Sequence, residues 1–169
     1  GKHSKLVTLL VAKGADIKTL APNGETMLIR ASCVSSLAVI QVLLPNCAEI
    51  LNSTGKEGRT ALIAAASRIA TGGDDSLPVS DHLDIISTLL KTGELSIDAQ
   101  DESGRTALML AAGFGIEQVT RLLLDHRADP SIANETGCTP LYVSCKTPNS
   151  MNIVSMLVEA GADVAAANE

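Results

Sequence analysis

Asp101 to Asn134 reads DESGRTALMLAAGFGIEQVTRLLLDHRADPSIAN, and this stretch decides the fold because its landmarks recur on both sides of it. GETML begins at Gly24, GRTAL at Gly58 and again at Gly104, and GCTPL at Gly137. The threonines of these motifs, Thr26, Thr60, Thr106 and Thr139, are separated by 34, 46 and 33 residues. A second marker closes each unit: KGAD at Gly14, NCAE at Cys47, TGEL at Gly93, RAD from Arg127 and AGAD at Gly161. Its steps are 33, 46, 34 and 34 residues, so both markers keep one period and lengthen at the same place. A fixed period of this size means a repeat architecture, and it overrides any reading by single segments.

The period near 33, with T-P-L-x-x-A-A, a leucine run and G-A-D, resembles the ankyrin repeat over essentially the whole chain. The resemblance implies an all-α solenoid of stacked helix-turn-helix units with β-turn fingers. The chain then divides as one domain, 1–169: a partial repeat over 1–20, repeats over 21–54, 55–100, 101–133 and 134–167, and the start of another at 168–169. Opening inside a repeat, it reads as a fragment of a larger ankyrin-repeat protein. Such units bury their core against neighbours, so four to five suffice for a continuous one.

Composition agrees. Hydrophobic residues make up 46% of the chain but aromatics 1%, so Ala, Leu, Ile and Val must build the core, in layers thin enough for small side chains to fill. The net charge of −6 argues against a general phosphate-binding surface, hence against nucleic acid. No apolar run reaches the roughly 18 residues of a membrane span. Cys33, Cys47, Cys138 and Cys145 form no C-x-x-C pair, and a chain with ample core needs no disulfide framework. These points predict an intracellular protein, cytoplasmic or nuclear, with reduced thiols. The N-x-T triplets at Asn52 and Asn134 are then chance matches.

Along the chain, Gly14 is expected to end the first helix in the left-handed conformation. Pro45 should stop the second helix of the first complete unit early, and Cys47, standing for the usual Gly, predicts a strained or different helix end. The long unit carries about twelve inserted residues near 70–81. Gly72-Gly73, Asp74-Asp75 and Pro78 there argue against regular structure. The segment reads as disordered, or as an arm reaching over the groove. Ser80 or Asp81 is the expected N-cap of the helix that follows. The histidine that the family places after T-P-L is absent. Ile29, Ile63, Met109 and Tyr142 stand there, so apolar packing must substitute, with Tyr142 offering a polar handle.

Nothing in the sequence assembles a catalytic constellation, a metal site, or a place for a cofactor or small-molecule substrate. Ser80-Asp81-His82-Leu83-Asp84 reads as a helix N-terminus collecting acceptors, and His126 as a partner for a helix C-terminus. Asp74-Asp75 lies in a Gly-rich loop that cannot fix the geometry catalysis needs. Gly72-Gly73 lacks the rest of a phosphate loop.

What varies between units is then free to read a partner. By resemblance to ankyrin-repeat binders, these positions are the finger tips and the exposed side of each first helix. They are Pro22, Asn23, Glu25, Cys33 and Val34; Lys56, Glu57, Arg59, Ser67 and Arg68; Glu102, Ser103, Arg105, Gly113 and Phe114; and Glu135, Thr136, Cys138, Lys146 and Thr147. Phe114 is the lone phenylalanine, and Arg59, Arg68 and Arg105 fall on the same face. Aromatic and Arg side chains dominate binding hot spots. This predicts an apolar spot flanked by arginines, suited to an acidic-hydrophobic peptide. The alternative is that Phe114 packs on the 70–80 loop and the arginines are merely solvated. The function expected is non-catalytic protein binding, as a scaffold or targeting module. A regulatory segment of a larger enzyme or channel, and a self-contained inhibitor that occludes its partner, stay open beside it.

Overall fold

The computed structural model describes residues 2–34, 36–71 and 79–165. Among them the chain forms α1 (Lys2–Ala12), α2 (Met27–Cys33), α3 (Leu37–Leu43), α4 (Ala61–Thr71), α5 (Val79–Leu90), α6 (Ala107–Gly113), α7 (Glu117–Asp125), α8 (Pro140–Cys145) and α9 (Met151–Glu159), with no strand. The pairs α2–α3, α4–α5, α6–α7 and α8–α9 each form one layer. The first helices α2, α4, α6 and α8 pack side by side as an inner row. The second helices α1, α3, α5, α7 and α9 form an outer row.

The threonine series explains why each layer starts where it does. Thr26, Thr60, Thr106 and Thr139 are all buried, and each hydroxyl accepts a hydrogen bond three residues on. The donors are the backbone N–H groups of Ile29 (3.2 Å), Ile63 (3.3 Å), Met109 (3.2 Å) and Tyr142 (3.3 Å). These N–H groups have no partner within their own helix, and the hydroxyl satisfies one in each. Thr106→Val keeps the shape and deletes the acceptor. It should cost about 1 kcal/mol and lower the thermal midpoint by roughly 2–4 °C. A midpoint unchanged to within a degree would show that the cap contributes nothing.

Between the rows lies an aliphatic core. Ala64, Ala65, Ala66, Ala111 and Ala112 are buried on the inner helices, where small side chains let neighbouring helices close up. Leu28, Leu62, Leu108, Leu123, Leu157 and Ile85 are fully buried behind them. Each contributes about 1.5–3 kcal/mol by leaving water. At the positions where the family has histidine, Ile29, Ile63 and Met109 are buried, so apolar packing does replace the polar link. Tyr142 is half-buried, and its ring lies 4.2 Å beneath the Lys146 ammonium.

Three helix ends depart from the plain pattern. Pro45 has no N–H to continue α3, which stops at Leu43 and gives way to 3₁₀ turns at Leu44–Asn46 and Ala48–Ile50. Cys47 lies between them at φ −124°, outside the left-handed region that Gly14 adopts at φ +80°. In the long unit, α4 runs on to Thr71 because Ile69-Ala70-Thr71 contains no helix breaker. On the other side α5 begins at Val79, so Ser80 and Asp81 are its second and third residues, not its N-cap as their sequence position implied. The Gly72 to Pro78 segment lies outside the described residues. At the end of α7, the His126 Nδ1 is 2.9 Å from the Leu122 carbonyl oxygen, a local partner for that helix C-terminus.

Candidate functional site

The third and fourth fingers are each built around one side-chain acceptor. In the third complete unit, Asp101 Oδ1 accepts from the backbone N–H groups of Ser103 (3.0 Å) and Arg105 (2.8 Å). In the fourth, Asn134 Oδ1 does the same for Thr136 (3.0 Å) and Cys138 (2.9 Å). This is the ordinary use of Asx in a turn. The second unit has Gly55 at that position and so lacks the acceptor. Its finger closes instead as a 3₁₀ turn at Lys56–Gly58, with Glu57 in the left-handed region at φ +61°.

Adjacent fingers are joined through the backbone. Glu102 N–H donates to the Glu57 carbonyl (2.9 Å), and Glu135 N–H to the Ser103 carbonyl (3.2 Å). Gln100 adds a side-chain tie by donating to the carbonyls of Gly104 (2.7 Å) and Ala133 (3.0 Å). Lys56, Glu57, Glu102, Ser103, Glu135 and Thr136 are exposed on these fingers.

Behind the second and third fingers a cavity of about 230 Å³ opens on the inner row. Ala64 and Leu110 are buried in its wall, with Cys33, Ser67, Arg59, Arg68, Arg105 and Phe114 around them. The predicted arginines and the phenylalanine therefore share one wall. Phe114 caps the end of α6 and is 51% exposed, which leaves its ring available to a partner. Lys146 lies one layer on, at the end of α8.

The arginines are not equivalent. Arg105 is fixed on the buried Asp101 carboxylate, whose Oδ2 accepts from Nε (2.9 Å) and Nη2 (2.8 Å). Its first role is to hold the finger, which sequence spacing could not reveal. Arg59 pairs through Nη2 with the exposed Glu57 carboxylate at 2.8 Å. Its Nε is buried without a hydrogen-bond partner among the described residues. Burial pushes the Cys33 thiol above its usual range. The Glu25 carboxylate adds to that shift, while the guanidiniums of Arg30, Arg59 and Arg68 oppose it. The thiol stays protonated at neutral pH and offers no nucleophile. The buried parts of this wall, Ala64 and Leu110, were missed as site residues. Both lie four residues after a capping threonine, a shared offset that places them side by side.

Layers of paired helices with linked fingers, stacked in an inner and an outer row, define a repeat solenoid. The family model described as ankyrin repeats (three copies) matches residues 1–93 and 76–168. The chain belongs to the ankyrin-repeat family. It is 27% identical over 187 aligned positions to the putative ankyrin repeat protein YahD of Escherichia coli (strain K12), covering 96% of this chain and 92% of that one. It is 32% identical over 111 residues to the neurogenic locus Notch protein of Drosophila melanogaster, 64% of this chain and 4% of that protein. It is 31% identical over 142 residues to the ankyrin repeat and KH domain-containing protein mask-1 of Caenorhabditis elegans, 83% of this chain and 5% of that protein. Ankyrin repeats are generally protein–protein interaction modules, and the family is typically non-catalytic. Among the described residues no helix is long and apolar enough to cross a membrane.

Proposed function

We propose that this chain, as one domain, is a non-catalytic scaffold or targeting module that grips a protein segment along its inner helices and finger tips. The observation that carries the reading is the wall that the exposed Phe114 shares with Arg59, Arg68 and Arg105 over an alanine and leucine floor. An aromatic anchor beside arginines is the composition of binding hot spots. Its arginines favour an acidic-hydrophobic segment. Lys56, Glu57, Glu102, Ser103, Glu135, Thr136 and Lys146 form the polar surround. Four free cysteines, one of them exposed, support a reducing, intracellular setting, cytoplasmic or nuclear.

The test compares immobilised wild type with Phe114→Asp and with Gln118→Ala, on an exposed position of the outer helix α7. A partner captured by wild type should bind Phe114→Asp at least roughly tenfold more weakly and Gln118→Ala unchanged. A partner indifferent to Phe114→Asp and to Arg59→Ala would remove the inner wall from the reading.

A further inference from the structure

Arg59 and Arg105 occupy the same place in successive layers, each directly before its capping threonine. In the third unit the residue five before the threonine is Asp101, and its carboxylate takes Nε and Nη2 of Arg105. In the second unit that position is Gly55, which has no side chain to offer. The consequence is visible at Arg59: its Nε is buried and, among the described residues, unpartnered, while Nη2 pairs with Glu57. Glu25 lies against Gly55, but its carboxylate faces Arg30 at 3.7 Å. The same guanidinium therefore has an acceptor for its Nε in one layer and, among the described residues, none in the next. The unsatisfied copy lines the cavity that Phe114 and Leu110 complete.

We infer that this cavity is a subsite for one glutamate or aspartate side chain of a partner peptide, with Arg59 as its specificity-determining residue. The inference rests on the protein-binding reading above and names what that site recognises. The partner's carboxylate takes on Arg59 the role that Asp101 plays on Arg105, accepting from Nε and one Nη together. Nε is out of contact with solvent, so the guanidinium must first rotate away from Glu57. The Glu57 carboxylate is half exposed, and pairs of that kind are weak enough to exchange. A bidentate guanidinium–carboxylate contact in a partly closed cavity is the stronger one. An apolar residue beside the acid lies on Phe114 and Leu110. A doubly charged phosphate is the poorer match, because Arg59 and Arg105 each arrive with a carboxylate of their own finger, Glu57 and Asp101.

The test is an array of random eight-residue peptides, each centred on Glu-Leu and repeated with isosteric Gln-Leu and with phosphoserine-Leu. Wild type should retain Glu-Leu peptides roughly tenfold better than their Gln-Leu twins, and phosphoserine-Leu no better than Glu-Leu. Arg59→Lys keeps the charge but loses the planar fork, and should erase most of the Glu-over-Gln preference while its melting midpoint stays within a few degrees. Phe114→Asp should lower retention of all three series. Equal retention of Glu-Leu and Gln-Leu, a preference undiminished in Arg59→Lys, or a dominant phosphoserine series overturns this inference alone. Retention indifferent to Phe114→Asp, or no peptide retained, overturns the inner-wall reading together with it.

Discussion

Gly104→Val should lower the thermal midpoint by on the order of 10 °C, the largest single-residue effect expected outside the aliphatic core. Two causes add. Gly104 sits at φ +73°, where a branched L side chain is strained by about 1–2 kcal/mol. A Cβ there would also lie 2.7 Å from the Glu135 backbone nitrogen and 3.0 Å from the Asn134 Cα. That is backbone of the next finger, which cannot swing aside as a flexible side chain would. The overlap adds about 1–3 kcal/mol and puts the bond from Glu135 N–H to the Ser103 carbonyl at risk. Gly24→Val is the matched control: φ is +77°, but nothing lies within 4 Å of the added Cβ, so strain alone should appear, about 1–2 kcal/mol. Equal midpoints for the two variants would show that contact between fingers is not what constrains Gly104.

Asp101→Ala comes second. It strips the acceptor from two backbone N–H groups and from the Arg105 fork at once. Breaking a buried pair costs about 3–5 kcal/mol. Because the Arg105 side chain is about a third exposed, roughly 2–3 kcal/mol is expected. Asp101→Asn retains a turn acceptor, as Asn134 does one layer on, and should lose about half as much. The two differ from wild type in pH dependence. Burial raises the Asp101 carboxyl, but the hydrogen bonds and charge of Arg105, with the Ser103 N–H, outweigh it and hold it below its usual range. A depressed folded value means stability fully present above the ordinary carboxylate value, near pH 4, and lost as the pH falls through the folded value. The advantage of wild type over Asp101→Asn in urea should therefore shrink as the pH falls below about 4. A difference constant across that range would assign the effect to packing rather than to the ionised pair.

The fold was legible because the sequence states it four times. Thr26, Thr60, Thr106 and Thr139 do one job at one spacing, and no single accidental match could mislead. The inner wall was legible for a related reason: residues at one offset in successive units become neighbours, so Arg59 and Arg105 can be paired on paper. The division of labour between them was not. It depends on whether position 55 or 101 carries a carboxylate and on where a long side chain then turns, which is a matter of rotamers rather than period. The start of α5 was misplaced because the family's period fixes only where the extra residues fall, near 70–81, and not where each flanking helix ends. Locally, Ile69-Ala70-Thr71 has no reason to stop before Gly72, and propensity decides.

The backbone bonds from Glu102 to Glu57 and from Glu135 to Ser103 make the second, third and fourth fingers one continuous ribbon. A ribbon of this kind does not close around an incoming chain finger by finger. Much of its conformational freedom is surrendered at folding, so less remains to be lost on docking, and tight recognition can come from a modest footprint. Under the proposed protein-binding reading, a segment that fits one tip is held in register with the next, so neighbouring tips add to what Arg59 selects.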